Sequence, residues 1–257
     1  MRIAHISDLH VTATAEPAGL TRPDAVARAR ALIADIAAFR PSIDLVVITG
    51  DTVNDARAEE YAVLADVLAG FRAPFLLTPG NHDDRAGLRA IAPDRPYADP
   101  SLLHHAWRGD HARVLALDTL SPGEIGGRLG AGQLAWLADE LARPFDGHTL
   151  VAMHHPPCRP GLGRIDGAIL IEGGEALRGL LDALPRPATV LCGHMHRPFT
   201  AFFGRSLVSA ATSTAFQFAL SLDDPDAPPP DAEPYHYVIH LLDADGGHVM
   251  HRRHPVL

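Results

Sequence analysis

The sequence predicts an α/β fold built around a parallel sheet. Three observations point there. Short apolar runs alternate with segments of helical periodicity from Arg2 to Cys192, which is the pattern of strand–helix–strand crossovers. The β-branched run Ile43–Thr49 is continuously apolar after Asp44, as in strands buried on both faces. The chain has 257 residues, of which 47% are hydrophobic, enough for one large domain with a substantial core.

Taken in order, Arg2–Ser7 reads as a first buried strand ending at Asp8. Pro23–Phe39 carries Val26, Ala29, Ile33, Ile36 and Ala37 at helical spacing, with Thr21 as an expected N-cap and Pro23 near the first turn. Ile43–Thr49 is the second strand, bounded by Pro41 and Gly50. Ala58–Leu68 is a helix and Pro74–Thr78 a third strand. Arg113–Asp118, His148–Met153 and Ala188–Cys192 continue as strands, separated by helices over Ala131–Ala142 and Glu172–Leu184. Phe199–Phe203, Leu207–Ala210, Tyr235–Leu242 and His248–Arg252 are strand-like with no long helix between them. They are expected in a second, more antiparallel sheet packed on the first. Asp223–Pro234, rich in Pro and Asp, is expected as a loop. No linker divides the chain, so residues 1–257 are expected as a single domain.

Composition narrows the function. The net charge is -9 and no Lys/Arg cluster is present, which argues against nucleic acid and an anionic membrane surface as partners. It does not exclude a phosphate substrate, because a bound metal ion can dominate the local field. The start, MRIAHISD, lacks the apolar segment of a signal peptide, and no apolar run is long enough to span a bilayer. The expectation is a cytoplasmic protein with Cys158 and Cys192 as reduced thiols. Histidine is the outlier, with 16 in the chain.

Five short segments place Asp, Asn or His directly after an expected strand: Asp8-Leu9-His10, Gly50-Asp51, Gly80-Asn81-His82-Asp83, His154-His155 and Gly193-His194-Met195-His196. Ligands of open α/β sheets bind outside the carboxyl ends of the strands, so these segments are expected to meet at one edge. Seven of these residues, Asp8, His10, Asp51, Asn81, His154, His194 and His196, make a mixed oxygen and nitrogen donor set. It suits Mn, Fe, Zn or Co better than Ca or Mg, and the lack of thiolates argues against a structural zinc site. Seven donors are too many for one ion. With one carboxylate bridging they form two four-donor sites with open positions, and two ions roughly 3.5–4 Å apart can clamp the attacking and leaving oxygens of a phosphoryl transfer. Gly50, Gly80 and Gly193 each precede a ligand, where a sharp turn is expected.

The series ISDLH, TGDTVN, GNHDD, MHHPP and GHMH resembles the calcineurin-like metallophosphoesterase superfamily. It is most similar to the bacterial cyclic nucleotide phosphodiesterases of the third class and the related glycerophosphodiesterases. The resemblance runs from residue 3 to about residue 217. It implies a four-layer α-β-β-α sandwich of two mixed sheets flanked by helices. It implies Asp8, His10 and His196 on one metal, Asn81, His154 and His194 on the other, and Asp51 between them. His154 rather than His155 matches the ligand position. His82 matches a histidine that contacts phosphate and protonates the leaving oxygen, and Asn81, His82 and His155 are assigned to the substrate. The metals implied are two divalent or trivalent ions, with manganese or iron first. The TSTAFQF stretch, Thr212–Phe218, looks more like the cyclic nucleotide branch, since some glycerophosphodiesterases carry a histidine where Phe216 stands. A homo-oligomer, dimer or larger, is also implied.

The leading expectation is hydrolysis of a small phosphodiester, with 3′,5′-cyclic AMP or GMP favoured. The alternatives are glycerophosphodiesters, phosphomonoesters or a nucleotide pyrophosphate, and, in another class, a non-catalytic metal-binding scaffold. Other residues receive structural readings. Asn54 and Asp55 form a turn, His5 is a core histidine, and Cys192 is a core thiol. His104, His105 and His111 lie at the surface or behind the ligands, and His236, His240, His248, His251 and His254 form a solvated face. Cys158 borders the pocket or its loop. Arg159 and Arg164 are either phosphate contacts or surface charge.

Overall fold

The computed structural model describes residues 1–16, 19–222 and 230–255. In chain order the elements are β1 (Arg2–Ile6), α1 (Ala25–Ala38), β2 (Leu45–Thr49), α2 (Ala58–Leu68), β3 (Phe75–Thr78) and α3 (Arg85–Ile91). Then come β4 (His105–Arg108), β5 (Ala112–Ala116), β6 (Gly127–Arg128), α4 (Ala131–Ala142), β7 (His148–Ala152) and, after a 3₁₀ turn at Gly163–Ala168, β8 (Leu170–Glu172) and α5 (Gly174–Asp182). The chain continues through β9 (Thr189–Cys192), β10 (Thr200–Phe203), β11 (Ser206–Ala210), β12 (Gln217–Phe218), β13 (Pro230–Asp231), β14 (Tyr237–Leu242) and β15 (His248–Arg253).

Two mixed sheets stack face to face. The first has the order β15-β14-β1-β2-β3 and the second β10-β11-β9-β7-β5-β4. Their facing sides, including Ile3, Leu45, Val47, Val114, Leu150 and Leu191, form an inner core. α1 and α2 cover the outer face of the first sheet, where Ala29, Ile33, Ile36 and Leu64 meet Ile6, Val46 and Ile48. α4 and α5 cover the second, where Leu137, Leu177 and Leu181 meet Val151 and Val190. The four-layer expectation is therefore met. All five residues of β2 are buried, as a strand between two layers requires.

Each sheet has a parallel centre and antiparallel additions. β1, β2 and β3 are parallel, as are β5, β7, β9 and β11. Ile6 stands opposite Ile48, Thr49 opposite Thr78, and Ala152 opposite Leu191. The carboxyl ends of five strands thus finish level, which sets up the site.

The last two strands do not join the second sheet, contrary to expectation. β14 lies antiparallel against β1, and β15 forms the outer edge of the first sheet. The reason is the burial of β1: it is apolar, covered on both faces, and needs a hydrogen-bonding neighbour on each side. This insertion also overturns the solvated-face reading for the late histidines. Ile239 points to the helical layer, so His240, one residue on, points between the sheets and is fully buried. There its Nδ1 lies 2.9 Å from His248 Nε2, while His5 contacts the Thr49 hydroxyl at 2.9 Å. His236 is buried as well, whereas His251 and His254 are exposed.

Other departures are local. Thr21 does not cap α1: its hydroxyl is bonded to Asn54 Oδ1 at 2.6 Å, and Asp24 takes the capping position. α3 went unread because Gly87 interrupts a seven-residue helix, although Asp84 caps it through the Ala86 and Gly87 amides. His104 and His105 are buried, with His104 edge-on to Trp136 at 4.6 Å and His105 opposite Tyr97 at 5.5 Å. Residues 223–229 of the expected loop lie outside the described residues, and 230–231 pair with β12. No helix among the described residues is long and apolar enough to cross a membrane.

The inter-sheet histidines generate a prediction about pH. Burial lowers His5 to about 3, His248 to about 4, and His240 well below its ordinary value. The unfolded chain binds protons near pH 6.5 that the fold refuses, so their stabilising contribution is full above 6.5 and lost as pH falls toward 4. Urea denaturation midpoints should drop between pH 7 and 4.5, and the drop should be shallower in His248→Asn. An unchanged slope in that variant would contradict the assignment.

Candidate metal centre

The strand ends deliver their side chains to one place. Asp8 follows β1 by two residues, as Asp51 follows β2, His154 follows β7 and His194 follows β9; Asn81 follows β3 by three. Around Asp51, two groups of donor atoms converge. In the first, His10 Nε2 lies 3.0 Å from His196 Nε2 and 3.6 Å from Asp51 Oδ2, and His196 Nε2 lies 3.3 Å from Asp8 Oδ1. In the second, His154 Nε2 lies 3.2 Å from Asp51 Oδ2, 3.2 Å from Asn81 Oδ1 and 3.1 Å from His194 Nδ1. All seven expected residues are brought together.

Backbone strain accompanies this convergence. Asp8, His10, Asp51, His194 and His196 have φ of 53°, 43°, 48°, 69° and 47°. Non-glycine residues rarely enter that left-handed region, and each costs about 1–3 kcal/mol. The surrounding bonds hold them there. Asp8 N donates to Gly50 O at 3.0 Å and His10 N to Asp51 O at 3.0 Å. The Asp8 carbonyl accepts from the Ser213 hydroxyl at 2.8 Å and from Thr214 N at 3.2 Å.

The glycines work differently from the sequence expectation. Gly50 does turn with φ +86°, but Gly80 and Gly193 have no positive φ. They are required by close approach: a Cβ at Gly193 would strike Ser7 Oγ and the Asp8 carboxylate, and one at Gly80 would strike the Asp51 carboxylate.

The imidazoles are oriented from behind. His154 Nδ1 donates to Thr49 O at 2.7 Å, and His196 Nδ1 donates to Phe216 O at 3.1 Å, which aims each Nε2 into the cluster. The Asp51 Oδ1 accepts from His82 N at 2.9 Å, so Oδ2 alone faces both donor groups.

The electrostatics of the cluster follow from its burial. Asp8 is fully buried and Asp51 nearly so. Burial pushes the Asp8 carboxyl up to about 7, with His154 pulling it down and Asp51 pushing it up. Burial also opposes charge on Asp51, but His154 and His10 hold it well below the carboxylate range. Burial disfavours a charged His154, yet Asp51 and Asp8 raise it to about 9. Burial holds His10 at about 4 and keeps His194 and His196 well below their ordinary value. Two buried carboxylates with five further oxygen and nitrogen donors around them favour a positive charge in their midst. Ligands at 2.0–2.1 Å around a tetrahedral ion stand roughly 3.3 Å apart, and the observed 3.0–3.6 Å spacings fit that frame. The donors therefore suit a pair of metal ions sharing Asp51.

A cavity of about 180 Å³ opens on this cluster, lined at its floor by Asp51, Asn81, His82, His194 and His196. His82 is exposed there, its Nδ1 donating to Asn54 O at 2.7 Å so that Nε2 faces away. Asn54, expected only as a turn, thus orients His82. His155 departs from its expected place at the substrate. It is fully buried, it does not line the cavity, and both ring nitrogens are engaged, with the Thr119 hydroxyl at 2.8 Å and Ile125 O at 2.9 Å. Arg159 and Arg164 do not line the cavity either.

Sequence reasoning passed over Asp83. Its buried carboxylate accepts from Thr52 N at 3.0 Å, Thr52 Oγ1 at 2.6 Å and Gly80 N at 2.9 Å, tying the loops that carry Asp51 and Asn81. Its place inside the GNHDD motif was the available signal. Phe216, noted only as a branch marker, stacks on His196 at 3.9 Å and 25°.

Comparison with known proteins gives a consistent answer. The calcineurin-like phosphoesterase profile matches residues 1–198. The glycerophosphodiester phosphodiesterase GpdQ of Enterobacter lignolyticus is 33% identical over 229 residues, covering 87% of this chain and 81% of that protein. The 3′,5′-cyclic adenosine monophosphate phosphodiesterase CpdA of Escherichia coli K12 is 32% identical over 218 residues, covering 85% and 78%. Among solved structures, a dimetal phosphatase from Danio rerio superposes with a TM-score of 0.77 at 14% identity, covering 100% of this chain and 96% of that one, which reflects the shared fold.

The protonation pattern gives a test of the cluster. Metal ligands bind deprotonated, so an ion must displace the protons held by His154 and Asp8. Affinity should weaken as pH falls through about 9 and then 7. Calorimetric titration with Mn²⁺ at pH 7, in buffers of different ionisation heat, should show release of about one proton or more per chain. Binding with no proton release would contradict the arrangement.

Proposed function

The chain belongs to the calcineurin-like phosphoesterase family, and from that membership we propose that it is a dinuclear metal-dependent phosphodiesterase whose favoured substrate is 3′,5′-cyclic AMP or GMP. One observation carries the reading: two four-donor groups share Asp51 Oδ2 at the floor of a small cavity. In this proposal Asp8, His10 and His196 hold one ion, Asn81, His154 and His194 the other, and Asp51 both. Manganese or iron is the favoured metal, since the set is mixed oxygen and nitrogen without thiolate.

Two such ions would neutralise phosphoryl oxygens and lower the pKa of a bound water to about 7. The chain's own residues do the rest. Asp51 is held by the His82 amide so that its second oxygen stays between the donor groups. His82, fixed through Nδ1 by Asn54 O, turns Nε2 to the cavity, where its imidazolium form donates a hydrogen bond or a proton to the leaving oxygen. The Asn81 side-chain amide, with its oxygen toward His154, leaves N–H groups for a phosphoryl oxygen. No Lys or Arg lines the cavity, so the charge of the substrate is met by the metals, Asn81 and His82. Its 180 Å³ is below the roughly 300–1,000 Å³ of drug-sized sites, favouring a small diester over a polymer or lipid.

Glycerophosphodiesters are the second reading, because GpdQ is as similar to this chain as CpdA is. A non-catalytic scaffold is the reading from another class. Bis(p-nitrophenyl) phosphate with Mn²⁺ separates the scaffold from both diesterase readings: turnover is expected, and its absence with every divalent metal would leave the scaffold. Asp51→Asn should lose both ions and all activity, whereas His82→Ala should keep two ions and lose roughly 100- to 10,000-fold in kcat. Two ions retained per chain in Asp51→Asn, by metal analysis, would remove the bridging role.

The proposal includes a cytoplasmic location and self-association. Phe202, on edge strand β10, is 77% exposed, an apolar side chain suited to a contact between copies. Sedimentation should show a dimer or larger species that Phe202→Glu weakens; a monomer at all concentrations would contradict it.

A further inference from the structure

The wall of the metal-site cavity has a chemistry of its own. Beyond the donor cluster and His82, its lining is Ile125, Ile165, Ala168, Met195, Phe216 and Phe218, with no hydroxyl, amide or cationic side chain among them. Besides Met195 and Phe216, three separate segments supply this wall. Ile125 comes from the loop between β5 and β6, Ile165 and Ala168 from the 3₁₀ turn, and Phe218 from β12. Convergence of apolar side chains from three loops is not a by-product of the core, because Ile125 is 66% exposed.

These side chains are held in place rather than loosely displayed. The Phe218 amide donates to His196 O at 3.0 Å, and Phe218 stands edge-to-face on Phe216 at 5.2 Å, while Phe216 stacks on His196. On the opposite side, buried His155 bonds the Ile125 carbonyl through Nε2 at 2.9 Å, and its ring packs edge-on to His154 at 4.8 Å. Each wall is therefore fastened to a residue of the metal cluster.

We propose that Ile125, Ile165 and Phe218 form a slot for a flat, weakly polar ester group, a nucleobase or an aryl ring, and that His155 is a positioning residue that fixes the slot through Ile125. The inference rests on the diesterase reading and adds the selecting element. Glycerol would present two hydroxyls to a wall that offers them no partner, and burying an unpaired hydroxyl is unfavourable. A planar ring loses little in polar contacts and gains from covering exposed Ile125 and Phe218.

The test compares kcat/KM for 3′,5′-cyclic AMP and for glycerophosphoethanolamine on the Mn²⁺-loaded full chain. The wild type should favour cyclic AMP by at least about tenfold, the scale of discrimination an apolar pocket supplies. Ile125→Ser and Phe218→Ser should each cut that preference by about tenfold, through KM for cyclic AMP rather than kcat. Ile125 is a surface side chain, so its variant reads the slot even where Phe218→Ser disturbs packing. Equal use of both diesters by the wild type, or a preference preserved in Ile125→Ser, would overturn the slot. Calorimetric binding of AMP to the metal-loaded protein gives a readout without turnover. If neither diester is hydrolysed the diesterase reading fails, yet weaker AMP binding to Ile125→Ser would still support the slot; equal AMP binding would end it.

Discussion

The structure depends on confining seven donor side chains, two of them buried carboxylates, within contact distance of one another. Left to itself such a cluster is unfavourable. His10 Nε2 and His196 Nε2 approach to 3.0 Å, and burial keeps both rings neutral. Five of the seven residues also hold left-handed backbone angles. The fold tolerates this because the loops are over-determined: each strained residue is clamped by hydrogen bonds from a neighbouring loop. Cations among the two buried carboxylates would offset the cost of burying that charge, which would couple metal binding to the stability of this edge.

The two-sheet architecture makes such confinement possible. A single parallel sheet would line its ligands along one row. Here β1, β2 and β3 bring Asp8, Asp51 and Asn81 from one sheet, while β7 and β9 bring His154 and His194 from the other, with the oxygen donors on one side and the imidazoles mostly on the other. Asp51 belongs to the middle strand of its parallel trio, which is where a bridging carboxylate has to stand. His154 ties the layers together, since its Nδ1 bonds the Thr49 carbonyl of the opposite sheet.

Much of this was legible because strands and ligands obey local rules. The bounds of α2 and α4 follow directly from helical periodicity, and the buried run of β2 from its β-branched residues. The motifs named all seven donors because each had to follow a strand end. What was not legible depends on pairing across the chain. Nothing local in Tyr237–Leu242 says that it will insert beside β1, and with that insertion His240 passes from an apparent solvent face to the interior. His155 looks like a twin of His154, but the two point to opposite sides of the loop, and only the partners Thr119 and Ile125 reveal that its nitrogens are taken. Gly193 shows the same limit: its sequence context suggests a turn, while the need is for space beside Ser7 and Asp8.

An acidic chain that binds a phosphodiester needs its positive charge from somewhere, and the net charge of -9 with no cation in the cavity locates that source in the metals. The consequence is a division of labour between floor and wall. The floor, built from strand ends and rigidly spaced, fixes the phosphoryl chemistry and leaves little freedom to vary. Apart from Met195 and Phe216, the wall is built from the loop after β5, the 3₁₀ turn and β12, none of which supplies a metal donor. The side chains of Ile125 and Phe218 can change with less effect on the cluster, because their hydrogen-bonded ties toward it run through backbone atoms, Ile125 O and Phe218 N, whereas Phe216 stacks directly on His196. Single substitutions at Ile125, Ile165 or Phe218 can therefore shift substrate preference while the donor set stays fixed.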